Sequence, residues 1–306
     1  MLRRFLPPLL ESLEGLDAAA VVADNGSSDG SSQMLREEFE QVKCISLDSN
    51  YGFAGGYNRA LKQVEGAEYF VLMNSDVEVP KGWLEPLTDW MDAHPDCGVC
   101  GPKLLQTEVR TRFEYAGAAG GLLDFFGFPY CRGRVMSRLE DDHGQYDDPC
   151  ETAWVSGACL MIRSSLWKAM GGLDERFFMH MEEIDLCWRV RAAGSTVCMI
   201  PASRVYHLGG GSLPSSSPRK LFYNFRNNLL MLHNNLPRQQ RWRIAARYIL
   251  DIFAQIAYFC TLHFESAGAV AKAHRDFWKL RQKNPAGKVN LLSNSLLIIQ
   301  YLKNLF

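Results

Sequence analysis

Hydrophobic and polar positions alternate along the first hundred residues in two different periods. Short apolar runs of the β type are separated by segments whose apolar positions recur with helical spacing. An order of strand, helix, strand is typical of a parallel sheet with helices on its faces, so we expect an α/β fold. The predicted strands cover residues 18–23, 42–47 and 69–73, and the predicted helices cover 27–39, 54–64 and 83–93.

The remainder of the chain falls into stretches of different character. Residues 110–149 are rich in Gly, Asp and aromatic side chains without a clear period, which indicates long loops with short strands. Residues 153–163 are apolar again, and residues 174–194 carry an acidic and aromatic cluster that leads into a helix. A Gly- and Ser-rich break over 209–218 predicts a domain boundary, and the pattern after it is helical.

Composition and charge exclude several classes of function. The 306 residues are 47% hydrophobic and 22% charged, which is typical of a globular protein. A net charge of −1 gives no general attraction to nucleic acid, and we expect no nucleic-acid partner. The nine cysteines show no disulfide framework, and one CxxC, at Cys97 and Cys100, is weak evidence for zinc. Buried thiols in a reducing cytoplasm are therefore expected.

One long apolar stretch, residues 244–264, bears on membrane association. Arg247 and Asp251 interrupt it, whereas a spanning helix needs about 20 mostly uncharged residues. Four arginines between residues 238 and 247 give the region a composition suited to a membrane surface. A helical cap over the main domain or a dimer contact explains the pattern equally well. The N-terminus lacks the features of a secretory signal, so we expect a cytoplasmic protein, peripheral on the membrane at most.

Polar clusters follow each of the three predicted strands. They begin at Asp24, Asn50 and Asn74, and ligands of parallel α/β sheets bind at the carboxyl ends of the strands. Asp76 is suited to hold Mg²⁺ or Mn²⁺, because these ions take oxygen ligands and bridge to phosphates. An Asx-type turn explains residues 74–76 equally well, and a turn or helix cap explains Asp24. Glycines from Gly52 onward would let a ligand approach the backbone, but no Walker pattern follows.

An acidic cluster at residues 177–189 is the strongest local candidate for catalysis. Glu182 and Glu183 follow a bulky apolar segment, where desolvation would raise a carboxyl pKa towards that of a useful base. The helix dipole explains the same carboxylates in part, and Asp185 could pair with Arg189. His207 closes a later predicted strand and is a candidate metal ligand, although a lone histidine is more often structural.

These clusters, in this order, resemble the family 2 glycosyltransferases, and in particular the branch that includes bacterial rhamnosyltransferases of surface polysaccharides. The resemblance covers about residues 2–228. Each motif is weak alone, but the ordered set is specific. The markers are the segments 22–31, 50–58, 74–76, 157–160, 177–189 and 201–207 and the triplet Arg226-Asn227-Asn228.

The resemblance implies a GT-A fold, a Rossmann-like mixed sheet flanked by helices with a C-terminal helical extension. It implies a catalytic domain over 1–210, with a nucleotide and metal half to about 105 and an acceptor half over 106–210, and a helical region over 211–306. The implied reaction is inverting transfer of rhamnose or another hexose from a nucleoside-diphosphate sugar to a hydroxyl of a glycan or lipid-linked acceptor. Glu183 would be the base, and Mg²⁺ or Mn²⁺ would bind Asp76 and His207. The implied donor-binding residues are Asp24, Asn25, Ser27, Asn50, Gly55, Gly56, Asn58, Asn74 and Ser75, and the acceptor-binding residues are Trp154, Gly157, Glu182 and Asp185.

Two departures from the family pattern leave alternatives open. Glu183 stands where relatives usually have Asp, one methylene shorter, and relatives begin with an extra strand before the helix at which Met1 lies. We therefore expect a sheet without that first strand, and a catalytically impaired donor-binding or scaffold protein is the alternative function. A sugar nucleotidyltransferase is less favoured, because residues 24–31 contain no Lys or Arg for a basic phosphate loop.

Overall fold

A computed structural model describes residues 1–209, 217–283 and 287–296. The helices are α1 (Leu2–Ser12), α2 (Ser31–Glu38), α3 (Gly52–Leu61), α4 (Glu85–Ala93), α5 (Ser164–Met170), α6 (Glu182–Ala192), α7 (Pro218–Asn235), α8 (Trp242–Cys260) and α9 (Phe264–Leu280). The strands are β1 (Val21–Asp24), β2 (Lys43–Ser46), β3 (Tyr69–Met73), β4 (Val77–Glu78), β5 (Cys97–Gln106), β6 (Gly121–Leu123), β7 (Pro129–Cys131), β8 (Arg134–Val135), β9 (Arg138–Leu139), β10 (Cys150–Glu151), β11 (Cys159–Arg163) and β12 (Thr196–His207).

The first three strands confirm the predicted alternation with helices but not the predicted single parallel sheet. β1 and β2 pair in parallel and form a two-stranded sheet of their own. β3 pairs antiparallel with β11, from Tyr69 opposite Arg163 to Met73 opposite Cys159. The prediction of one parallel sheet was wrong because β11, much later in the chain, supplies the neighbour of β3.

The main sheet is mixed, as expected from the family resemblance. Its strand order is β10-β12-β5-β11-β3, and β4 pairs with β12. The two longest strands, β5 and β12, run parallel, and residues 97–105 of β5 are buried. Near-continuous apolar runs are typical of strands covered on both faces. Of the three polar turns, only the one after β3 lies at an end of this sheet, since β1 and β2 belong to the other sheet.

The region predicted as loops with short strands, 110–149, contains the whole of a small four-stranded antiparallel sheet, β6 to β9. It joins the main body through the bridge between Gly121 and Trp154. The predicted apolar segment 153–163 becomes β11, and the acidic cluster leads into α6 as expected.

The C-terminal region is helical, as predicted, and α7 packs against α6, α8 and α9. Most of the predicted boundary at 209–218 lies outside the described residues. Among the residues that the structure describes, no helix is long and apolar enough to cross a membrane. Predicted helix starts were less accurate than strand positions. α2 begins at Ser31 rather than residue 27, because Gly30 at a φ of 81° ends the preceding turn in a left-handed conformation.

Candidate active site

The turn after β3 and the end of β12 bring a carboxylate and an imidazole together. Asp76 and His207 are 9% and 7% exposed, and His207 Nε2 lies 3.2 Å from Asp76 Oδ1. The backbone fixes this pair, because β4 follows Asp76 and pairs with the end of β12, and Leu208 N–H donates to the Asp76 carbonyl. Asn74 Nδ2 lies 3.4 Å from the same imidazole nitrogen, whereas Ser75 is exposed at the tip of the turn.

Glu114 completes this corner, and the sequence interpretation missed it. Its Oε1 lies 3.3 Å from His207 Nδ1, and its other oxygen accepts a hydrogen bond from the Ala116 N–H. Burial lowers the pKa of His207, but the carboxylates of Asp76 and Glu114 outweigh that effect and raise it to about 9. The imidazole is therefore protonated at neutral pH in the metal-free protein, and a metal bound at Nε2 would displace that proton. The Glu114 carboxylate behind the ring would orient it for such a bond. No local motif marks Glu114, since only the tertiary fold brings it to His207.

The side chains of Asp76 and His207 are suited to bind a divalent cation. Asp76 supplies a hard oxygen and His207 a nitrogen, 3.2 Å apart and close enough to bind one ion. Within the described ranges, no three His, Cys, Asp or Glu side chains form a complete metal site. An ion held here would therefore need further oxygen ligands, and Mg²⁺ and Mn²⁺ commonly take them from water and phosphate.

Replacing Glu114 with Gln is expected to weaken Mn²⁺ binding by about 10-fold to 100-fold, the usual effect of losing a carboxylate behind a ligating histidine. Titration of Mn²⁺ alone, followed by electron paramagnetic resonance, measures the affinity without any reaction. Glu108→Gln removes an exposed carboxylate nearby and is the matched control. Equal Mn²⁺ affinity in the Glu114→Gln and control variants would show that Glu114 does not support the metal ligand.

The turn after β1 is organised around Asp24. Its carboxylate accepts hydrogen bonds from the Ser27 N–H, at 2.9 Å, and from the Ser32 hydroxyl. Burial alone would raise the pKa of Asp24, but these hydrogen bonds lower it. The carboxylate is thus ionised at neutral pH, and each of its oxygens already accepts one hydrogen bond from within the same segment. This agrees with a turn closed by its own side chain rather than with a helix cap, since Gly30 is the N-cap of α2. A role for Asp24 as an acceptor for a nucleoside is a proposal.

Several predicted donor-binding residues hold the protein itself together. Asn25 Nδ2 donates to the Gly52 carbonyl, and its oxygen accepts from the Tyr51 N–H, so it joins the first two turns. Asn58 is buried and bonds both the N–H and the carbonyl of Leu173. The remaining members of the set are also packed locally: Asn50 accepts from the Gly52 N–H, a Cβ on Gly55 would lie 2.8 Å from Tyr51 Cβ, and one on Gly56 would lie 2.9 Å from Asn25 Nδ2.

Glu183, near the start of α6, has the properties of a general base. It is partly exposed, and burial of its carboxyl raises its pKa to about 7, although backbone hydrogen bonds oppose the rise. Gly157 lies beside it, and a Cβ there would sit 3.5 Å from both Glu183 Cβ and Phe53 Cζ. A carboxyl with a pKa near 7 combines an ionised fraction at neutral pH with useful basicity.

Three other residues that were predicted to bind the acceptor are more buried than Glu183. Glu182 is 4% exposed, and burial together with the Glu183 charge raises its pKa well above the ordinary value. Asp185 is fully buried, and its oxygens accept from Arg189, Asn234 and Asn235, so it serves helix packing. Trp154 is also buried, with its Nε1 donating to a backbone carbonyl. We therefore leave Asp185 and Trp154 out of the acceptor site proposed below.

The loop before Glu183 is strained. Phe178, His180 and Met181 have φ angles of 63°, 68° and 74°, a region that non-glycine residues rarely adopt. Asn227 on α7 holds this loop, donating to the carbonyls of Phe177, Met179 and His180 at 2.7–2.9 Å. Strained residues persist only where the surroundings over-determine them, commonly at functional sites. Asn227 is therefore a positioning residue for the segment that carries Glu183.

Replacing Asn227 with Ala is expected to lower the free energy of unfolding by about 2–4 kcal/mol, since the two N–H groups that three loop carbonyls share are lost. Only the Phe177 carbonyl keeps another side-chain donor among those described, Arg226. The loop should also relax, so kcat should fall while the KM for the donor changes little. Chemical denaturation and steady-state kinetics measure the two effects. Asn224→Ala, a half-exposed position on the same helix, is the control. A variant with normal kcat would show that the loop keeps its geometry without Asn227.

The mixed sheet flanked by helices has the GT-A fold. The chain belongs to glycosyl transferase family 2, whose model matches residues 1–169. It is a glycosyltransferase, as the sequence predicted.

Sequence relatives and a solved structure agree with this assignment. The chain is 26% identical over 268 residues to an N-acetylglucosaminyl-diphospho-decaprenol L-rhamnosyltransferase of Mycobacterium tuberculosis, covering 81% of the chain and 84% of that protein. It is 22% identical over 243 residues to the dTDP-rhamnosyl transferase RfbF of Shigella flexneri, covering 75% and 76%. A crystal structure of GalNAc-T7 with UDP, GalNAc and Mn²⁺ shares the fold, with a TM-score of 0.62 and 15% identity. The match covers 80% of the chain and 47% of GalNAc-T7, so the chain spans about half of that protein's length.

Proposed function

We propose that the protein transfers rhamnose or another hexose, with inversion, from a nucleoside-diphosphate sugar to a hydroxyl of a glycan or lipid-linked acceptor in bacterial surface polysaccharide synthesis. The observation that carries this proposal is the position of Glu183, a partly exposed carboxyl in the first turn of α6 that lies beside Gly157. A single general base beside the acceptor is what direct displacement requires. Relatives named as rhamnosyltransferases support the choice of sugar.

The proposed reaction gives each of these side chains one role. Glu183 accepts the proton of the acceptor hydroxyl, whose oxygen bonds to the anomeric carbon from the face opposite the diphosphate. The bond from that carbon to the phosphate oxygen breaks, and its electron pair leaves with the nucleoside diphosphate. Mg²⁺ or Mn²⁺ bound by Asp76 and His207 would offset the charge that builds on the diphosphate. The turns at Asp24–Ser27 and Asn74–Ser75 would hold the nucleotide.

The acceptor side is formed by Gly157, Glu182 and Glu183. Because residue 157 is a glycine, no side chain fills the space beside Glu183 at this position. An acceptor hydroxyl can approach the Glu183 carboxylate through that space. The first relative above is named for a decaprenol-linked acceptor, and a lipid-linked acceptor here would place the enzyme at the cytoplasmic face of a membrane, in peripheral contact through its C-terminal helices.

The proposal is tested by incubating the protein with Mn²⁺ and a panel of nucleoside-diphosphate sugars, including dTDP-rhamnose, and an N-acetylglucosamine diphospholipid. Mass spectrometry detects a product one hexose larger, and the anomeric coupling in its NMR spectrum gives the stereochemical outcome. Retention would contradict the single displacement. Donor binding by calorimetry with no transfer to any acceptor would favour the donor-binding scaffold instead.

A further inference from the structure

Helix α8 has its charged and apolar faces reversed relative to an ordinary surface helix. Arg243, Arg247 and Asp251 are buried. The exposed residues recur at three- and four-residue spacing along one face, and in this fully described helix all of them are apolar. They are Trp242, Ala245, Ile249, Ile252, Phe253, Ile256, Ala257, Phe259 and Cys260.

The buried charges lock this orientation. Arg247 pairs with Asp251 at 2.7 Å and also donates to Asn228 on α7, while His274 on α9 lies 3.4 Å from Asp251. Arg243 donates to the carbonyl of Phe125 in the acceptor half of the protein. Removing a partner from a buried charge is costly, so the helix cannot simply rotate its apolar face inward.

The apolar face continues beyond α8. Leu262 and Phe264, in and after the connection to α9, are 74% and 55% exposed. Trp278 on α9 is also exposed and lies against α8, with its Nε1 3.4 Å from the Tyr248 hydroxyl. Monomeric proteins rarely expose large contiguous apolar patches, and such patches mark sites of protein or membrane contact. We call this surface the α8 face.

The charged side chains around the α8 face are mainly basic, although Glu265 is exposed and Asp276 is half-buried. Arg281 lies 4.2 Å from the Trp278 ring centre, and Arg275 and Lys279 share the exposed side of α9 with that tryptophan. Between residues 238 and 281, the only exposed acidic side chain that the structure describes is Glu265. The exposed basic side chains in the same segment are Arg238, Lys272, Arg275, Lys279 and Arg281.

We propose that the α8 face docks the protein on an anionic lipid bilayer. Apolar side chains with tryptophans among them and a basic border have the composition of an interfacial membrane-binding surface. A second copy of the chain fits less well, because a two-fold interface would bring the basic borders of both copies together. This deepens the peripheral contact included in the proposed function, but vesicle binding is measured without any sugar transfer, so the two can fail separately.

Docking through α8 would also orient the active site. Asn228, which accepts from Arg247, follows Asn227, which holds the loop before Glu183. The membrane-facing helix and the catalytic base are therefore joined through consecutive residues of α7. A lipid-linked acceptor would meet the site at a fixed height above the bilayer.

The test is sedimentation of the full chain with phosphatidylcholine vesicles and with vesicles that also contain phosphatidylglycerol. We expect binding to the anionic vesicles that weakens with salt. A Phe253→Glu, Ile256→Glu variant should bind at least about tenfold more weakly, since two apolar side chains no longer enter the bilayer. Arg275→Gln with Lys279→Gln should reduce the preference for anionic vesicles by on the order of tenfold. Val109→Glu, an exposed apolar site far along the chain, is the control for adding acid.

Thermal unfolding checks that each variant is folded. We expect all of them to fold, because the substituted side chains are exposed. Absence of binding to either vesicle, or equal binding by wild type and the Phe253→Glu, Ile256→Glu variant, would overturn the proposal. Light scattering that shows a wild-type dimer, dissociated by the same substitutions and indifferent to vesicles, would assign the α8 face to a second copy instead. If the Phe253→Glu, Ile256→Glu variant loses vesicle binding but transfers sugar normally to a soluble acceptor, membrane docking is supported as a property separate from catalysis.

Discussion

Replacing Asp76 with Ala should lower kcat/KM for sugar transfer by about a thousandfold or more. The loss of the carboxylate removes one of the two protein ligands of the proposed ion, and charge stabilisation by a metal supplies several kcal/mol to such reactions. Burial would raise the pKa of Asp76, but His207 outweighs this and lowers it, so the ligand is ionised at neutral pH. Transfer rates at saturating Mn²⁺ and Mn²⁺ titrations in the absence of donor measure the effect.

The control for this substitution is Asp89→Ala, which removes an exposed carboxylate from α4. It should retain both activity and Mn²⁺ affinity. Circular dichroism is needed for both variants, because Asp76 also contacts His207 and its backbone carbonyl receives the Leu208 N–H. A folded Asp76→Ala protein with undiminished, metal-dependent transfer would remove Asp76 from the metal site.

Local sequence patterns predicted the positions of strands well, and their pairing poorly. β3 lies at the predicted residues, because a short apolar run bounded by polar residues is a local signal. Its antiparallel neighbour β11 was not predicted, since pairing between distant segments depends on how the whole chain packs. The turns that follow the strands were located correctly for the same local reason.

The candidate site was predicted in part. Glu183, Asp76 and His207 were named as candidates from their positions at element ends and from the family resemblance, and the structure places Asp76 beside His207. Glu114 was missed because its contact with His207 is tertiary. Asn58 was assigned to the donor, but its amide bonds the backbone of Leu173. A polar residue within a motif can serve either the ligand or the scaffold, and the sequence does not distinguish these uses.

The sequence pattern also did not predict which face of α8 is exposed. A helix with apolar and charged faces is normally expected to turn its charges to water. The partners that hold Arg247 inside, Asp251 and Asn228, lie on two different helices. Only the packing of α7 against α8 shows that the apolar face is the exposed one.

Replacing Glu183 with Gln should reduce kcat by about 100-fold to 10,000-fold, the range that a positioned general base contributes. Glutamine keeps the shape of the side chain but cannot accept the acceptor proton, so donor binding should be unchanged. The pH dependence gives a second test. In the wild type, kcat/KM should fall as the pH drops below about 7, because the raised pKa of Glu183 leaves it protonated there. In the Glu183→Gln variant, the fall of kcat/KM on the acidic side of the pH profile should be absent.

Glu182→Gln separates the base from its neighbour. Glu182 is 4% exposed, and burial together with the charge of Glu183 raises its pKa well above the ordinary value. Glu183 is partly exposed, so an acceptor hydroxyl reaches it more readily than it reaches Glu182. Replacement of Glu182 should therefore change kcat far less and preserve the acidic limb of the pH profile. If instead the Glu182 variant lost activity and the Glu183 variant kept it, the two roles would be reversed.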